Sequence, residues 1–176
     1  MNADGCFSGC PSPLPGCPTN LNGAYEYPHL IVPIDSSNPT KAVGTSYFGE
    51  VSSSISSIFN FDIPAPDSGQ TCSLVFLLPT QAQLATSSFT LSGSGGLACS
   101  LLNGVATSTT SFSNAPSVKH DYGVTIIAPG NSYSIATFPC PAGSAISFEL
   151  KASGDIFLNY FQDYNPSPIG LYITKC

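Results

Sequence analysis

An antiparallel β-sandwich is the fold this sequence predicts, all-β with about nine strands and little helix, and three observations predict it. Sixteen glycines and sixteen prolines are spread through 176 residues, so turn signals recur at short intervals. Between them lie runs rich in Ile, Val, Phe, Tyr and Thr that alternate with polar residues at the strand period of two. No segment has the length and 3.6-residue periodicity of an amphipathic helix, and only "PTQAQLATS" holds a short helical turn. A jelly-roll is one wiring that such strands adopt. With 42% hydrophobic residues the chain has enough apolar surface for one core. The expected organisation is a Cys/Pro/Gly-rich arm over residues 1–22, tied by disulfides, and a single sandwich domain over residues 23–176.

Each element follows from its residues. In "HLIVPID" an extended chain puts His29, Ile31, Pro33 and Asp35 on one face and Leu30, Val32 and Ile34 on the other, so the second set is expected in the core. Pro33 has no N–H for a central ladder and marks an edge strand or a bulge. In "ISSIFNFDIP", Ile55, Ser57, Phe59, Phe61 and Ile63 form the apolar face, and Ser56, Ile58, Asn60 and Asp62 form a mostly polar one. "TCSLVFLLP" is apolar on both faces, as a central strand covered on each side requires. "FTLSGSG" and "GLACSLL" are separated by glycines that read as a hairpin or bulge. Pro129-Gly130 predicts a hairpin between "YGVTIIA" and "SYSIATF", since proline presets φ and glycine accepts positive φ. In "SAISFELK", Ile146, Phe148 and Leu150 make a core face, and Ser147, Glu149 and Lys151 a solvated one. "DIFLNYFQD" and "LYITKC", joined by "NPSPIG", supply the last strands.

Charged residues are 8% of the chain, against roughly 25% in an average globular protein, and hydroxyl and amide residues take their place. The net charge of −6, with four lysines and no arginine, excludes the cationic surface that nucleic acid or anionic lipid requires. The longest apolar runs, "LVFLL" and "LIVPI", are far short of the ~20 residues that span a bilayer, so no membrane insertion is expected. No Asn-x-Ser/Thr sequon survives, because Pro39 and Pro166 occupy the middle position after Asn38 and Asn165. Any glycan would be O-linked.

Seven cysteines (Cys6, Cys10, Cys17, Cys72, Cys99, Cys140 and Cys176) point to an oxidising compartment and a secreted protein, extracellular or in a cell wall. The opening Met-Asn-Ala-Asp-Gly reads as a mature terminus behind an added initiator methionine. A zinc site in the arm lacks a fourth ligand at suitable spacing. Cys72 opens the most apolar strand and Cys140 precedes a new one, so a bridge between them would tie neighbouring segments. Cys176 ends the chain and could anchor the arm through Cys17. Sequence does not determine connectivity, so other pairings stay open, and an odd count leaves one thiol free or paired outside the chain.

Catalytic patterns are sparse. His29 and Asp35, at the two ends of one extended run, stand roughly 20 Å apart and make no dyad. His120, in "SVKHDYG", reads as a solvated loop histidine, and no G-x-S-x-G elbow is present. Asp62 and Glu149 are the carboxylates that a glycosidase pair would draw on, provided they face each other. Asp121, Asp155 and Asp163 are too scattered for a calcium loop, and no metal site or cofactor motif is read. A non-enzymatic protein is expected. The segment "NYFQDYNPSPIGLY" gathers Asn159, Tyr160, Gln162, Asp163, Tyr164 and Asn165, the mixture of rings, amides and carboxylate that binds sugars. The competing reading packs Tyr160 and Phe161 in the two layers and ties Gln162 to Pro168 into a loop by its own hydrogen bonds.

"YPHLIVPIDSSNPTKAVGTSYFGEVSSSISSIFNFDIP", "GQTCSLVFLLP", "PGNSYSI", "CPAG" and "QDYNPSPIGLYITKC" together resemble the fungal But-type C-terminal domain, named for binding the E1 subunit of a ubiquitin-like conjugation system. The resemblance runs over about residues 23–176. It implies a fungal source and many secreted or surface members, and carries no catalytic residues. The expected function is a secreted cell-wall or extracellular β-sandwich protein that binds a wall polysaccharide or a host or surface protein. An intracellular module for a ubiquitin-like E1 subunit and a wall-active glycoside hydrolase are the alternatives.

Overall fold

The computed structural model describes residues 16–176, so Cys6, Cys10 and most of the arm lie outside the described residues. Twelve strands follow in three antiparallel sheets that make a sandwich-like arrangement. In chain order they are β1 (Tyr25–Glu26), β2 (Leu30–Asp35), β3 (Phe48–Val51), β4 (Ile55–Asp62), β5 (Thr71–Leu78) and β6 (Phe89–Ser92). The second half supplies β7 (Gly95–Leu102), β8 (Val118–Ile126), β9 (Asn131–Pro139), β10 (Ala145–Gly154), β11 (Phe157–Phe161) and β12 (Gly170–Lys175). The sheets run β1-β12-β5-β9, β2-β4-β10-β7-β8 and β3-β11-β6. The strands beyond the expected nine include β1, two residues long, and β3, "FGEV", neither of which carries a readable alternation. The short helical turn of "PTQAQLATS" is a 3-10 turn at Gln81–Gln83.

The main core draws on all three sheets, with Phe61 against Phe148 at 6.1 Å between centroids and Phe76 against Tyr160 at 5.7 Å, both edge to face. β5 lies between β12 and β9 and is buried on both faces. Leu74, Phe76 and Leu78 enter the main core; Val75 and Leu77 pack outward with Tyr172, under Leu21 and Tyr25. Two disulfides frame this strand, Cys72–Cys140 and Cys17–Cys176. Cys99 is free and buried in the main core, which pushes its thiol up to about 12.

On the expected solvated faces of β4 and β10, Asp62 and Lys151 are exposed as expected and the rest is corrected. Residues 103–117 cover the remainder, and Asn60, Ser147, Ser56 and Glu149 are all buried. The Asn60 amide donates to the Ala106 carbonyl at 2.7 Å and accepts from the Ala106 N–H at 3.1 Å. Ser147 donates to the Gly104 carbonyl, and Ser56 donates to the Glu149 carboxylate at 2.6 Å. Polar residues here act as loop anchors, since buried polar groups require partners. Under the same loop Val32 and Ile34 of the expected core set of β2 are buried, and Ile31 of the opposite face is buried too. Val32 and Ile34 pack outward with Ile58, Leu102 and Ala106 in a second cluster, while Ile31 faces the main core. Pro33 does sit on an edge strand, as β2 pairs only with β4 within its sheet.

Two local reversals also differ from expectation. Pro129-Gly130 makes its turn, with Gly130 at φ 88°, but β8 pairs with β7 and β9 with β5, so the turn crosses between sheets instead of closing a hairpin. Turn chemistry specifies a reversal and leaves the pairing partner to the core. β6 and β7 likewise do not pair with each other; β6 pairs with β11 and β7 with β10, so two long strands bend together from one sheet into another. Ser94 and Asp155 hold the corner, the Ser94 N–H and hydroxyl donating to the Asp155 carboxylate at 2.8 and 2.9 Å. A side chain at Gly93 or Gly95 would run into the carbonyl of the facing strand, so only glycine fits the bend.

Lys175 on β12 is almost fully buried between Asp67, at 2.9 Å, and Glu26 of β1, at 3.1 Å. Burial opposes its ammonium, and the hydrogen bonds and charges of Asp67 and Glu26 outweigh that, raising its pKa. Its contribution to stability is therefore complete below the unfolded-state value, about 10.4, and is lost as pH rises through the higher folded value. Lys175→Ala is expected to cost about 3 kcal/mol near neutrality, because two carboxylates lose their cation. Denaturant titrations at pH 7 and above pH 10.5 test this: the gap between wild type and variant narrows at alkaline pH.

Candidate functional site

The three sheets meet at one end of the molecule without forming a continuous ladder, and a few bonds bridge the junction. The Ser46 N–H donates to the Ile31 carbonyl at 2.9 Å, joining β2 to the segment before β3. The Gln162 N–H donates to the Tyr47 carbonyl at 3.1 Å, joining that segment to the end of β11. The Tyr172 hydroxyl donates to the Asp163 carbonyl at 2.7 Å, joining β12 to the loop after β11. Burial, then the charge of Asp163, pushes the Tyr172 phenol far up, so it remains a donor.

Between these bridges lies a cleft of about 650 Å³. Its apolar lining includes Leu30, Ile31, Pro28 and Phe161, with the edge-to-face pair Tyr25 and Tyr172, 6.0 Å apart. Tyr27, Tyr47 and Tyr164 line it while remaining 65%, 79% and 63% exposed. Ser46, Gln162 and Asp163 are its polar members.

The structure divides the sugar-site candidates. Gln162, Asp163 and Tyr164 line the cleft; Asn159, Tyr160 and Asn165 do not. Tyr160 is fully buried, its ring lying over its cross-strand partner Gly49, where any side chain would collide with it. Asn159 is half-buried in the middle of β11, between Glu50 and Thr90. Gln162 spends its amide on β12, donating to the Leu171 carbonyl at 2.9 Å and accepting from the Leu171 N–H at 3.3 Å. Asp163 accepts from the Thr86 hydroxyl and from the Asn165 N–H, and it exchanges backbone bonds with Ile169, which closes the loop. Tyr27 and Tyr47 are the lining residues that sequence reading passes over. Tyr47 and its neighbour Phe48 both stay exposed, which an adjacent aromatic pair does not announce.

The remaining candidates lie apart from the cleft lining. His29 pairs with Asp62, Nδ1 to Oδ2 at 3.0 Å, on an exposed surface. His120 stacks on Tyr122 at 4.6 Å. In the β4–β10 ladder Asp62 faces Ala145 and Glu149 faces Ile58, four positions away, which separates the two carboxylates by roughly 13 Å along the strands. Asp121 is bonded to the Gly123 N–H and Asp155 to Ser94, and among the described residues no three His, Cys, Asp or Glu side chains form a metal-binding group. Among them, too, no helix is long and apolar enough to cross a membrane.

The family model described as the ubiquitin 3 binding protein But2 C-terminal domain matches residues 26–166, and the chain belongs to that family. No curated protein matches the chain.

The placement of Tyr160 makes a direct prediction. Among the described residues no group bonds its buried hydroxyl, so Tyr160→Phe should leave stability within about 0.5 kcal/mol of wild type or raise it. Gly49→Ala, which drives a methyl into the same ring, should cost about 2 kcal/mol or more. Urea unfolding of the two variants measures both.

Proposed function

We propose that this domain is a secreted, non-catalytic interaction module, and that its tyrosine cleft is the surface that holds the partner at a cell wall or in the extracellular space. One observation carries the reading: three tyrosines, Tyr27, Tyr47 and Tyr164, stay largely exposed and are grouped around one apolar cleft. Exposed rings grouped around a concavity are the usual anchors of a binding surface. The family's description is that of a protein-binding domain, which supports a protein partner. Two disulfides fit an oxidising compartment. The separation of Asp62 from Glu149, and the exposed pairing of His29, support a role without catalysis.

Two further readings each have an observation behind them. A wall polysaccharide is favoured by the ring faces themselves, which stack on sugars. A ubiquitin-like partner is favoured by the family description, and disulfides that reducing cytosol would open weigh against it.

The test is cosedimentation of the oxidised domain with isolated cell walls, beside a Tyr47→Ala/Tyr164→Ala variant. Both side chains are exposed, so the melting temperature should hold while wall affinity falls at least tenfold, as loss of two aromatic anchors predicts (~1.4 kcal/mol or more). Equal binding by the two proteins contradicts the cleft as the binding surface. Binding to the E1 subunit of a ubiquitin-like conjugation system, without wall binding, would favour the intracellular alternative.

A further inference from the structure

Resting on the cleft as the binding surface, we infer that its ligand is an extended, proline-rich peptide segment carrying a basic residue. The polar lining is largely committed to the fold. Both ends of the Gln162 amide are bonded to Leu171, and the Tyr172 hydroxyl is bonded to the Asp163 carbonyl. The Ser46 hydroxyl accepts the Phe48 N–H at 2.9 Å. A polyhydroxyl ligand, with a hydroxyl on almost every carbon, would give up more water than the tyrosine hydroxyls could replace, which costs free energy for every unmatched group. An apolar ligand has no such cost.

Other peptide geometries fit less well. A cleft of about 650 Å³ is the size of a small-molecule site and takes a few side chains, less than the face of a helix ~10 Å across. Strand addition at the β2 edge is obstructed twice, by the Ile31–Ser46 bridge and by Pro33, which offers no N–H. A polyproline helix needs neither feature. It is extended and rigid before binding, has no internal hydrogen bonds, and lays its rings on aromatic side chains while its carbonyls accept from phenol hydroxyls. Tyr27, Tyr47 and Tyr164 line the cleft and are largely exposed, side chains that each carry a ring and a hydroxyl.

The charge of the ligand follows from the lining. Among the described residues Asp163 is the only carboxylate in the lining, and no lysine or histidine accompanies it. The chain as a whole carries −6. A lysine or arginine beside the prolines would meet a carboxylate that is hydrogen-bonded by Thr86 and Asn165 but has no cation beside it in the lining, together with tyrosine rings, a cation–π environment.

The experiment is affinity selection on the oxidised domain from a decapeptide library fixed as Pro-x-x-Pro with the other positions random, run in parallel on Tyr47→Ala. The expected result is enrichment of Arg or Lys at one flanking position on wild type alone. The best selected peptide, titrated by fluorescence polarisation, should weaken at least tenfold for Tyr47→Ala, and severalfold on raising salt from 50 to 500 mM. Enrichment of acidic residues, or no enrichment over Tyr47→Ala, overturns the inference. If no peptide is selected and Tyr47→Ala still weakens cosedimentation with cell walls, the cleft stands as the binding surface and the peptide falls. If Tyr47→Ala changes neither measurement, both fall.

Discussion

The structure depends on covering β5 twice. A strand with Leu74, Phe76 and Leu78 on one side and Val75 and Leu77 on the other cannot be the wall of a simple two-layer sandwich, because its second face would stand in water. The cover comes from Leu21, Tyr25 and Tyr172, and Cys17–Cys176 holds residues 17–25 against that surface by tying them to the end of β12. Lys175 adds an ionic clamp beside the disulfide, reaching Glu26 of β1 and Asp67. The cleft is a by-product of the same cover. Tyr25 and Tyr172, which close the outer face of β5, also form one wall of the cavity, so the staple that completes the core also fixes that wall of the cleft.

Low charge becomes intelligible in this setting. Many polar side chains hold backbone in place of regular ladders: Asn60 grips the loop over the five-stranded sheet, Asp155 holds the corner where two strands bend, Gln162 ties β11 to β12, and Asp163 closes the loop that follows. Amides, hydroxyls and short carboxylates suit these tasks because they bond backbone groups at short range.

How much of this was legible in the sequence varies by residue. β5 was legible, because apolar residues on both faces have one structural meaning. The edge position of β2 was legible from Pro33, since a missing N–H is a local fact. Asn60 and Glu149 were misread as solvated because alternation distinguishes polar from apolar and says nothing of a loop folding back from forty residues away. The turn at Pro129-Gly130 was legible as a turn and misleading as a hairpin, because pairing is decided by the sheets on either side. In the candidate site, the loop of Gln162 to Tyr164 was found from its composition, while Tyr27 and Tyr47 come from separate segments that only the junction of three sheets brings together. Tyr160, a ring over glycine, requires the register to be known.

The central claim is that the domain is an oxidised fold whose outer cover is stapled across β5. Peptide mapping of natively produced protein, alkylated before and after unfolding without reductant, tests it most directly. The account predicts linked peptides for Cys17–Cys176 and Cys72–Cys140, and alkylation of Cys99 only after unfolding. Free, alkylated thiols at Cys17 and Cys176 in the native protein would contradict it.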